Sequence, residues 1–173
     1  MKIYVLMENI SHDECLACEH GLSLYIEADG KKILFDTGAS EKFAENAEKM
    51  GVDLKAVDFA AISHGHYDHG GGLAKFIELN DHAPIYISDK GFNQYYSGTD
   101  FNVSIPEGLE GNERFVLTNA PIKLSENITL LNCNDREAKY YADPYGLNKL
   151  VDGEFIPDDF LHEQYLIIEE NGK

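Results

Sequence analysis

The sequence predicts an α/β fold, a layered sandwich in which helices pack on β-sheet. Three features indicate this class: an early β-hairpin, a strand–helix–strand order in the middle, and a second half rich in short strands. A chain of 173 residues suits one domain with its own core, and no repeat or linker divides it. We therefore expect a single domain over residues 1–173.

The N-terminal strands are predicted from short apolar runs, at residues 3–6, 22–28 and 33–35. Polar, loop-like sequence over residues 8–20 separates the first run from the second. Asp29-Gly30 joins the second run to the third and is a strong hairpin signal.

The middle of the chain alternates helix and strand signals. Apolar residues at helical spacing predict two helices, with Phe43, Ala47 and Met50 inside residues 40–50 and Leu73, Phe76 and Ile77 further on. Apolar runs at residues 59–62 and 84–87 predict the strands before and after the second helix. The first of these strands leads directly into a His-rich loop.

The second half begins with an irregular stretch. Gly, Asn and Tyr are spread through residues 89–113, and long loops of this kind often contribute to a binding site. Apolar runs at residues 115–117, 128–131 and 165–168 predict strands. Asn171-Gly172 follows the last strand as another hairpin signal.

Composition limits the partners and the compartment. Lys and Arg number 14 against 31 for Asp and Glu, a formal net charge of −17. This charge repels nucleic acid and anionic membrane surfaces, although a bound dication can reverse the local potential for a small substrate. The apolar runs are too short to span a membrane, and the N-terminal run is too short for a signal peptide. We expect a cytoplasmic protein with a small-molecule substrate, no nucleic-acid partner and no membrane partner.

The three cysteines, Cys15, Cys18 and Cys133, do not indicate a disulfide framework, because their number is odd and no signal peptide precedes them. Cys15 and Cys18 have the spacing of half a zinc site or of a redox pair. A four-thiolate site needs a second pair, so we expect two reduced thiols in a loop.

The most informative segment is Ser63-His-Gly-His-Tyr-Asp-His69. His64 and His66 lie on one side of an extended segment, and a turn after Tyr67 brings Asp68 and His69 beside them. We predict that these four side chains bind metal, with His64 and His66 on one ion and Asp68 and His69 on the other. Imidazole and carboxylate both suit zinc, which lowers the pKa of water to about 7. Solvated surface histidines are the alternative interpretation.

The pattern His-x-His-x-Asp-His at residues 64–69 resembles the signature of the metallo-β-lactamase superfamily. Phe35-Asp36-Thr37-Gly38 is similar to that superfamily's first motif. The resemblance implies an αββα sandwich and a hydrolase with two metal ions, zinc above all, with manganese or iron as alternatives. It also implies that Asp36 accepts a hydrogen bond that orients the loop or a ligand histidine. A turn aspartate before Gly38 is the alternative. We expect Asp68 to be catalytic, positioning or deprotonating the attacking water.

A narrower resemblance covers nearly the whole chain. Residues 19–24, 33–38, 63–69 and 159–164 look like segments of a family of metal-dependent hydrolases, one branch of which is named for ribofuranosylaminobenzene phosphate synthase. His20 and His162 lie in these segments and are candidates for lining the pocket. A structural role is the alternative for each of them.

The superfamily resemblance also implies further ligands downstream of residue 165: a third His for the first metal, a bridging Asp and another His. The sequence ends at Lys173, so we expect an N-terminal portion with a partial site. Apolar surface on the strands at residues 59–62 and 165–168 would then be uncovered, which predicts a homo-oligomer.

Two rival functions stay open at this stage. One is a diiron redox protein on the same fold, although such proteins carry Glu where this chain has His66, and a carboxylate suits iron better. The other is a truncated, non-catalytic metal-binding module. The leading prediction is a metal-dependent hydrolase acting on a small ester, lactone, thioester or phosphoester.

Overall fold

A computed structural model describes residues 1–132 and 144–170. Cys133 and the hairpin signal at Asn171-Gly172 lie outside the described residues. Within the described ranges, no helix is both long enough and apolar enough to cross a membrane.

The described residues form thirteen strands and three α-helices. The strands are β1 (Lys2–Met7), β2 (Ser23–Ala28), β3 (Lys31–Phe35), β4 (Phe59–Ala61), β5 (Ile85–Ser88), β6 (Tyr95–Ser97), β7 (Phe101–Asn102), β8 (Phe115–Thr118), β9 (Ile122–Lys123), β10 (Ile128–Asn132), β11 (Leu147–Val151), β12 (Glu154–Pro157) and β13 (Gln164–Ile168). The helices are α1 (Lys42–Lys49), α2 (Tyr67–Gly70) and α3 (Leu73–Leu79), with a 3₁₀ turn at Leu54–Ala56. Every strand and helix expected from the sequence within these ranges is present, with ends shifted by one or two residues at most positions.

Three sheets organise the strands. The largest has the order β1-β2-β3-β4-β5-β8, antiparallel through the hairpin and parallel from β3 onward. A second sheet has the order β13-β10-β9, and a third has the order β12-β11-β6-β7. Because β3, β4 and β5 are parallel, the chain leaves them at the same edge of the sheet, where the motifs after β3 and β4 meet.

The central strands of the large sheet are buried on both faces. Leu34 and Ala60 point toward α1 and α3 and join the core formed with Phe43 and Phe76. The neighbouring positions on the same strands point the other way, where Ile33 and Phe59 form a second core with Ile128, Leu166 and Ile168 of the second sheet. The resulting order of layers, helices, sheet and sheet, is the α/β sandwich that the sequence predicts.

Two expectations about surfaces and loops need correction. Residues 89–113 are not all irregular, because β6 and β7 form a short hairpin that pairs with β11. The strand Phe59–Ala61 is fully buried, because the second sheet covers it. Exposed apolar side chains do occur on β13, where Tyr165 and Ile167 are 45% and 43% exposed.

Candidate metal centre

The His-rich loop begins where β4 ends. Residues 63–65 bend sharply, and α2 starts at Tyr67, so Asp68 and His69 lie in a short helical turn. The segment 103–105 pairs with the loop through two backbone hydrogen bonds. The Tyr67 N–H donates to the Val103 carbonyl at 2.8 Å, and the Ile105 N–H donates to the Gly65 carbonyl at 3.3 Å. Backbone contacts on both sides therefore hold the loop in place.

Asp36 anchors the loop from the end of β3. Its buried carboxylate accepts the Ser63 N–H at 2.6 Å, the Ser63 hydroxyl at 2.7 Å and the His69 Nδ1–H at 2.7 Å. Its backbone has a φ of 61°, a conformation that Asp adopts more readily than most residues. A strained residue that orients a histidine is typical of a functional site. Asp36 thus contacts both the loop and a histidine.

These hydrogen bonds fix two histidine tautomers. Because His69 donates from Nδ1 to Asp36, its lone pair is on Nε2. The Ser63 hydroxyl donates to Asp36, so its oxygen accepts from His64 Nδ1 at 2.9 Å, which also leaves the lone pair on Nε2. Both rings are therefore in the state that a metal ligand requires.

His64, Asp68 and His69 form the first of two clusters of metal-ligand side chains in the described part of the chain. Each offers a ligand atom within 4.8 Å of the others. Asp68 and His69 are 15% and 19% exposed at their side chains. His64 therefore lies within reach of Asp68 and His69. The rings of His64 and His66 still lie 4.7 Å apart.

His66, Asp158 and His162 form the second group, which is buried. Asp158 Oδ2 lies 3.2 Å from Nε2 of each histidine. Sequence reasoning placed His162 near the pocket but missed Asp158. The available signal was the four-residue spacing of Asp158 and His162 beside the segment at residues 159–164.

The electrostatics differ between the two groups. Burial, together with the neighbouring histidines, holds the pKa of His64 well below its ordinary value. Burial also lowers the pKa of His69, but the hydrogen bond and charge of Asp36 outweigh it and raise that pKa. Burial alone would raise the pKa of the Asp158 carboxyl, yet hydrogen bonds from His162 and His66 hold it well below its usual range.

Glycines allow the two motifs to approach each other. A Cβ on Gly71 would lie 2.3 Å from the Ala39 carbonyl oxygen, and one on Gly72 would lie 2.4 Å from that of Thr37. The glycine run after the histidines therefore lets the backbone pass close to the site.

A cleft of about 250 Å³ opens beside the centre. It is lined by His20, His66, Tyr67, Asp68, Ser97, Phe101, Val103 and Leu147. His20 lies at its mouth, 72% exposed, with Nε2 3.3 Å from Asp68 Oδ2. His162 is buried behind the cleft and does not line it.

The donor set fits a divalent metal such as zinc. The first group offers two imidazoles with defined lone pairs and one carboxylate, and the carboxylate lines an open cleft. Cys15 and Cys18 are free and exposed and belong to neither group found among the described residues.

The metallo-beta-lactamase superfamily model matches residues 16–165. The chain belongs to this superfamily.

Similarity to solved structures agrees with this assignment. Tm1679, described as a metal-dependent hydrolase of the beta-lactamase superfamily, superposes with a TM-score of 0.76 at 29% identity, over 96% of this chain and 60% of that one. The superfamily supports a metal-dependent, hydrolase-type function.

Two curated proteins are also similar. A 7,8-dihydropterin-6-methyl-4-(beta-D-ribofuranosyl)-aminobenzene-5'-phosphate synthase of Methanocaldococcus jannaschii is 30% identical over 191 aligned positions, covering 99% of this chain and 65% of that protein. An anaerobic nitric oxide reductase flavorubredoxin of Aliivibrio fischeri is 27% identical over 156 positions, covering 79% of this chain and 31% of that protein. This chain spans less than two thirds of the length of each of these three proteins.

Proposed function

We propose that the chain carries the metal centre of a hydrolase that acts on a small ester, lactone, thioester or phosphoester. The observation that carries this proposal is the convergence of His64, Asp68 and His69, of which Asp68 lines an open cleft. His66 adjoins this group and is the fourth proposed ligand. The small cleft and the net charge of −17 favour a small-molecule substrate over nucleic acid.

Zinc is the metal we propose, with manganese or iron as alternatives, because imidazole and carboxylate ligands suit it. When bound, zinc makes water a competent nucleophile near neutral pH and polarises the substrate oxygen. His66 favours zinc over the diiron alternative, since an imidazole stands where a carboxylate would suit iron.

The residues of the chain have separate roles in this proposal. Asp36 and Ser63 hold His64 and His69 in their ligand tautomers. Asp68 accepts the proton of the attacking water at its carboxylate. His20, at the mouth of the cleft, contacts Asp68 and is placed to meet a substrate as it enters. We also expect a single domain and a cytoplasmic location.

The test combines metal analysis with a substrate panel. Protein purified without added metal is analysed for zinc, iron and manganese, and is then assayed on chromogenic phosphodiesters, lactones, thioesters and esters. Predominant iron with redox activity would contradict the proposal in favour of the diiron alternative. Metal binding without turnover on any member of the panel would favour the non-catalytic module.

Asp68→Asn tests the role of the carboxylate. Turnover is expected to fall at least about a hundredfold, a typical contribution of general acid–base catalysis. Asp81→Asn is the matched control, because its side chain is 99% exposed and belongs to neither ligand cluster. If Asp68→Asn retains full turnover with its metal content intact, the proposed role of Asp68 is wrong.

A further inference from the structure

Asp158 and His162 have no role in the function proposed so far, although both are almost completely buried beside a proposed ligand. Asp158 is 2% exposed and His162 is 1% exposed. Buried polar side chains in native proteins nearly always have hydrogen-bond partners. The pattern of those hydrogen bonds shows what the two residues do to His66.

Both ring nitrogens of His162 are already used. The Gly65 N–H donates to His162 Nδ1 at 2.8 Å, so in the neutral ring the hydrogen lies on Nε2. That hydrogen is donated to Asp158 Oδ2 at 3.2 Å. No lone pair is left on the ring for a metal ion.

Asp158 then determines the tautomer of His66. Its Oδ1 accepts the Phe160 N–H at 2.9 Å, and its Oδ2 accepts from His162. A carboxylate in this accepting role takes a hydrogen from His66 Nε2, which lies 3.2 Å from the same oxygen. The lone pair of His66 is consequently on Nδ1.

We propose that Asp158 and His162 are positioning residues that hold His66 with its Nδ1 lone pair available to the metal, and that His162 is not a ligand itself. This inference rests on the proposed function, because it gives His66 its metal. Carboxylates behind ligand histidines commonly fix the ring and its tautomer.

The surroundings of His162 restrain its ring. The ring lies nearly parallel to those of Tyr95, with centroids 4.1 Å apart, and Phe160, with centroids 5.6 Å apart. Gln164 ties the same segment to the end of β4, donating from its side chain to the Ile62 carbonyl at 2.8 Å. His162 is therefore held between a fixed backbone donor on Gly65 and a fixed acceptor on Asp158.

The competing interpretation is a second metal site formed by His66, Asp158 and His162, whose ligand atoms lie within 4.8 Å of one another. An ion bound at His162 Nε2 would need a lone pair there, and the Gly65 N–H would then require a second lone pair on Nδ1. Neutral imidazole has only one. The hydrogen bond from Gly65 therefore favours the positioning role.

The first experiment needs neither a variant nor a metal. Nitrogen-15 NMR of histidine-labelled, metal-free chain reports which nitrogen of each ring carries the hydrogen. His66 and His162 are both expected as Nε2–H tautomers. An Nδ1–H tautomer for either residue would overturn the proposal. If the chain then fails to bind metal, the proposed function fails, while the tautomers still decide the arrangement of the network.

The second experiment measures zinc affinity and stoichiometry by calorimetry in folded variants. Asp158→Asn is expected to weaken binding by roughly 10–100-fold, the usual cost of losing such a partner, with the number of bound ions unchanged. In this variant the NMR signals of His66 should also shift toward Nδ1–H. Asp159→Asn is the matched control, since it makes the same charge change one residue away, at a carboxylate that pairs with Lys149.

His162→Gln separates the two interpretations. A positioning role predicts weaker binding with the full number of ions, whereas a ligand role predicts the loss of an ion. Loss of an ion in this variant, or unchanged zinc affinity in Asp158→Asn, would refute the proposal. Melting temperatures identify any variant that has not folded, and the tautomers of the unmutated chain then decide the question.

Discussion

Two groups of histidine and aspartate lie side by side in this molecule, and they differ in exposure and in hydrogen bonding. His64, Asp68 and His69 are partly exposed, and the hydrogen bonds of the two histidines leave a lone pair on each ring. In the second group, His162 uses both of its nitrogens within the protein. The two groups therefore have different roles, although both consist of two histidines and one aspartate with ligand atoms within 4.8 Å of one another. The hydrogen-bond donors and acceptors around each ring distinguish them.

Each group depends on one buried carboxylate that reaches a histidine of the loop. Asp36 accepts from His69, and Asp158 faces His66. Asp36 lies at the end of a strand that the sequence predicts, whereas Asp158 comes from a segment 92 residues away from its histidine. The loop therefore has a carboxylate beside a histidine on each of two sides, Asp36 beside His69 and Asp158 beside His66.

The largest effect in this comparison is expected from Asp36→Asn. Asn tolerates the positive φ, so the backbone is retained, but the charge-assisted bonds to Ser63 and His69 are lost. The free energy of unfolding should fall by roughly 2–3 kcal/mol, because these donors are then poorly satisfied. Chemical denaturation of metal-free protein measures this change.

Asp81→Asn is again the control, and it should change stability by less than about 0.5 kcal/mol, as an exposed substitution does. If Asp36→Asn lowers the free energy of unfolding by no more than this control does, Asp36 does not anchor the loop. The first group would then lack the support that distinguishes it from a chance cluster.

Most residues of the first group and its surroundings can be predicted from the local sequence. The spacing of His64, His66, Asp68 and His69 identifies the ligands, and the apolar runs before them identify β3 and β4. These features are contiguous along the chain, so residue patterns can show them. The bend at residues 63–65 could not be predicted in this way, because the pairing with residues 103–105 stabilises it.

The second group and the wall of the cleft depend on long-range contacts. Asp158 meets His66 only because Gln164 and β13 bring that segment against the end of β4. The strands β6 and β7 have three and two residues, too few to show an alternating pattern; β6 is stabilised by pairing with β11, and β7 by pairing with β6. Sequence reasoning therefore described residues 89–113 as a loop.

The pH dependence of stability should have opposite signs in the two groups. The pKa of His69 is raised in the fold, so its contribution to stability is full below its unfolded pKa of about 6.5 and is lost as the pH rises through the raised value. Burial lowers the pKa of His162 against the opposing Asp158, so its charged form is disfavoured in the fold. Its contribution is therefore lost as the pH falls below about 6.5.

Unfolding of EDTA-treated protein across pH 5–9 (about 1.5 pH units below and about 2.5 above the ordinary His pKa) measures both effects. The stability difference between the unmutated chain and His69→Gln should shrink as the pH rises. The stability difference between the unmutated chain and His162→Gln should shrink as the pH falls. Slopes of equal sign would show that the two histidines experience the same electrostatic environment and would remove this distinction between the groups.

The smallest effect is expected at Cys15 and Cys18, which have metal-ligand spacing but belong to neither group. Both are free and exposed, and the loop around them is organised by Asp13, whose Oδ1 accepts the Cys15 N–H at 2.8 Å. Two thiolates form only half of a zinc shell. The double variant Cys15→Ser, Cys18→Ser should therefore keep its full zinc content and change the free energy of unfolding by less than about 0.5 kcal/mol. His64→Gln serves as the positive control, since it removes a proposed ligand and should lower zinc binding in the same assay. If the cysteine variant loses zinc and cobalt-substituted protein shows a thiolate charge-transfer band, the two thiols bind metal and the ligands are not confined to the His-rich loop.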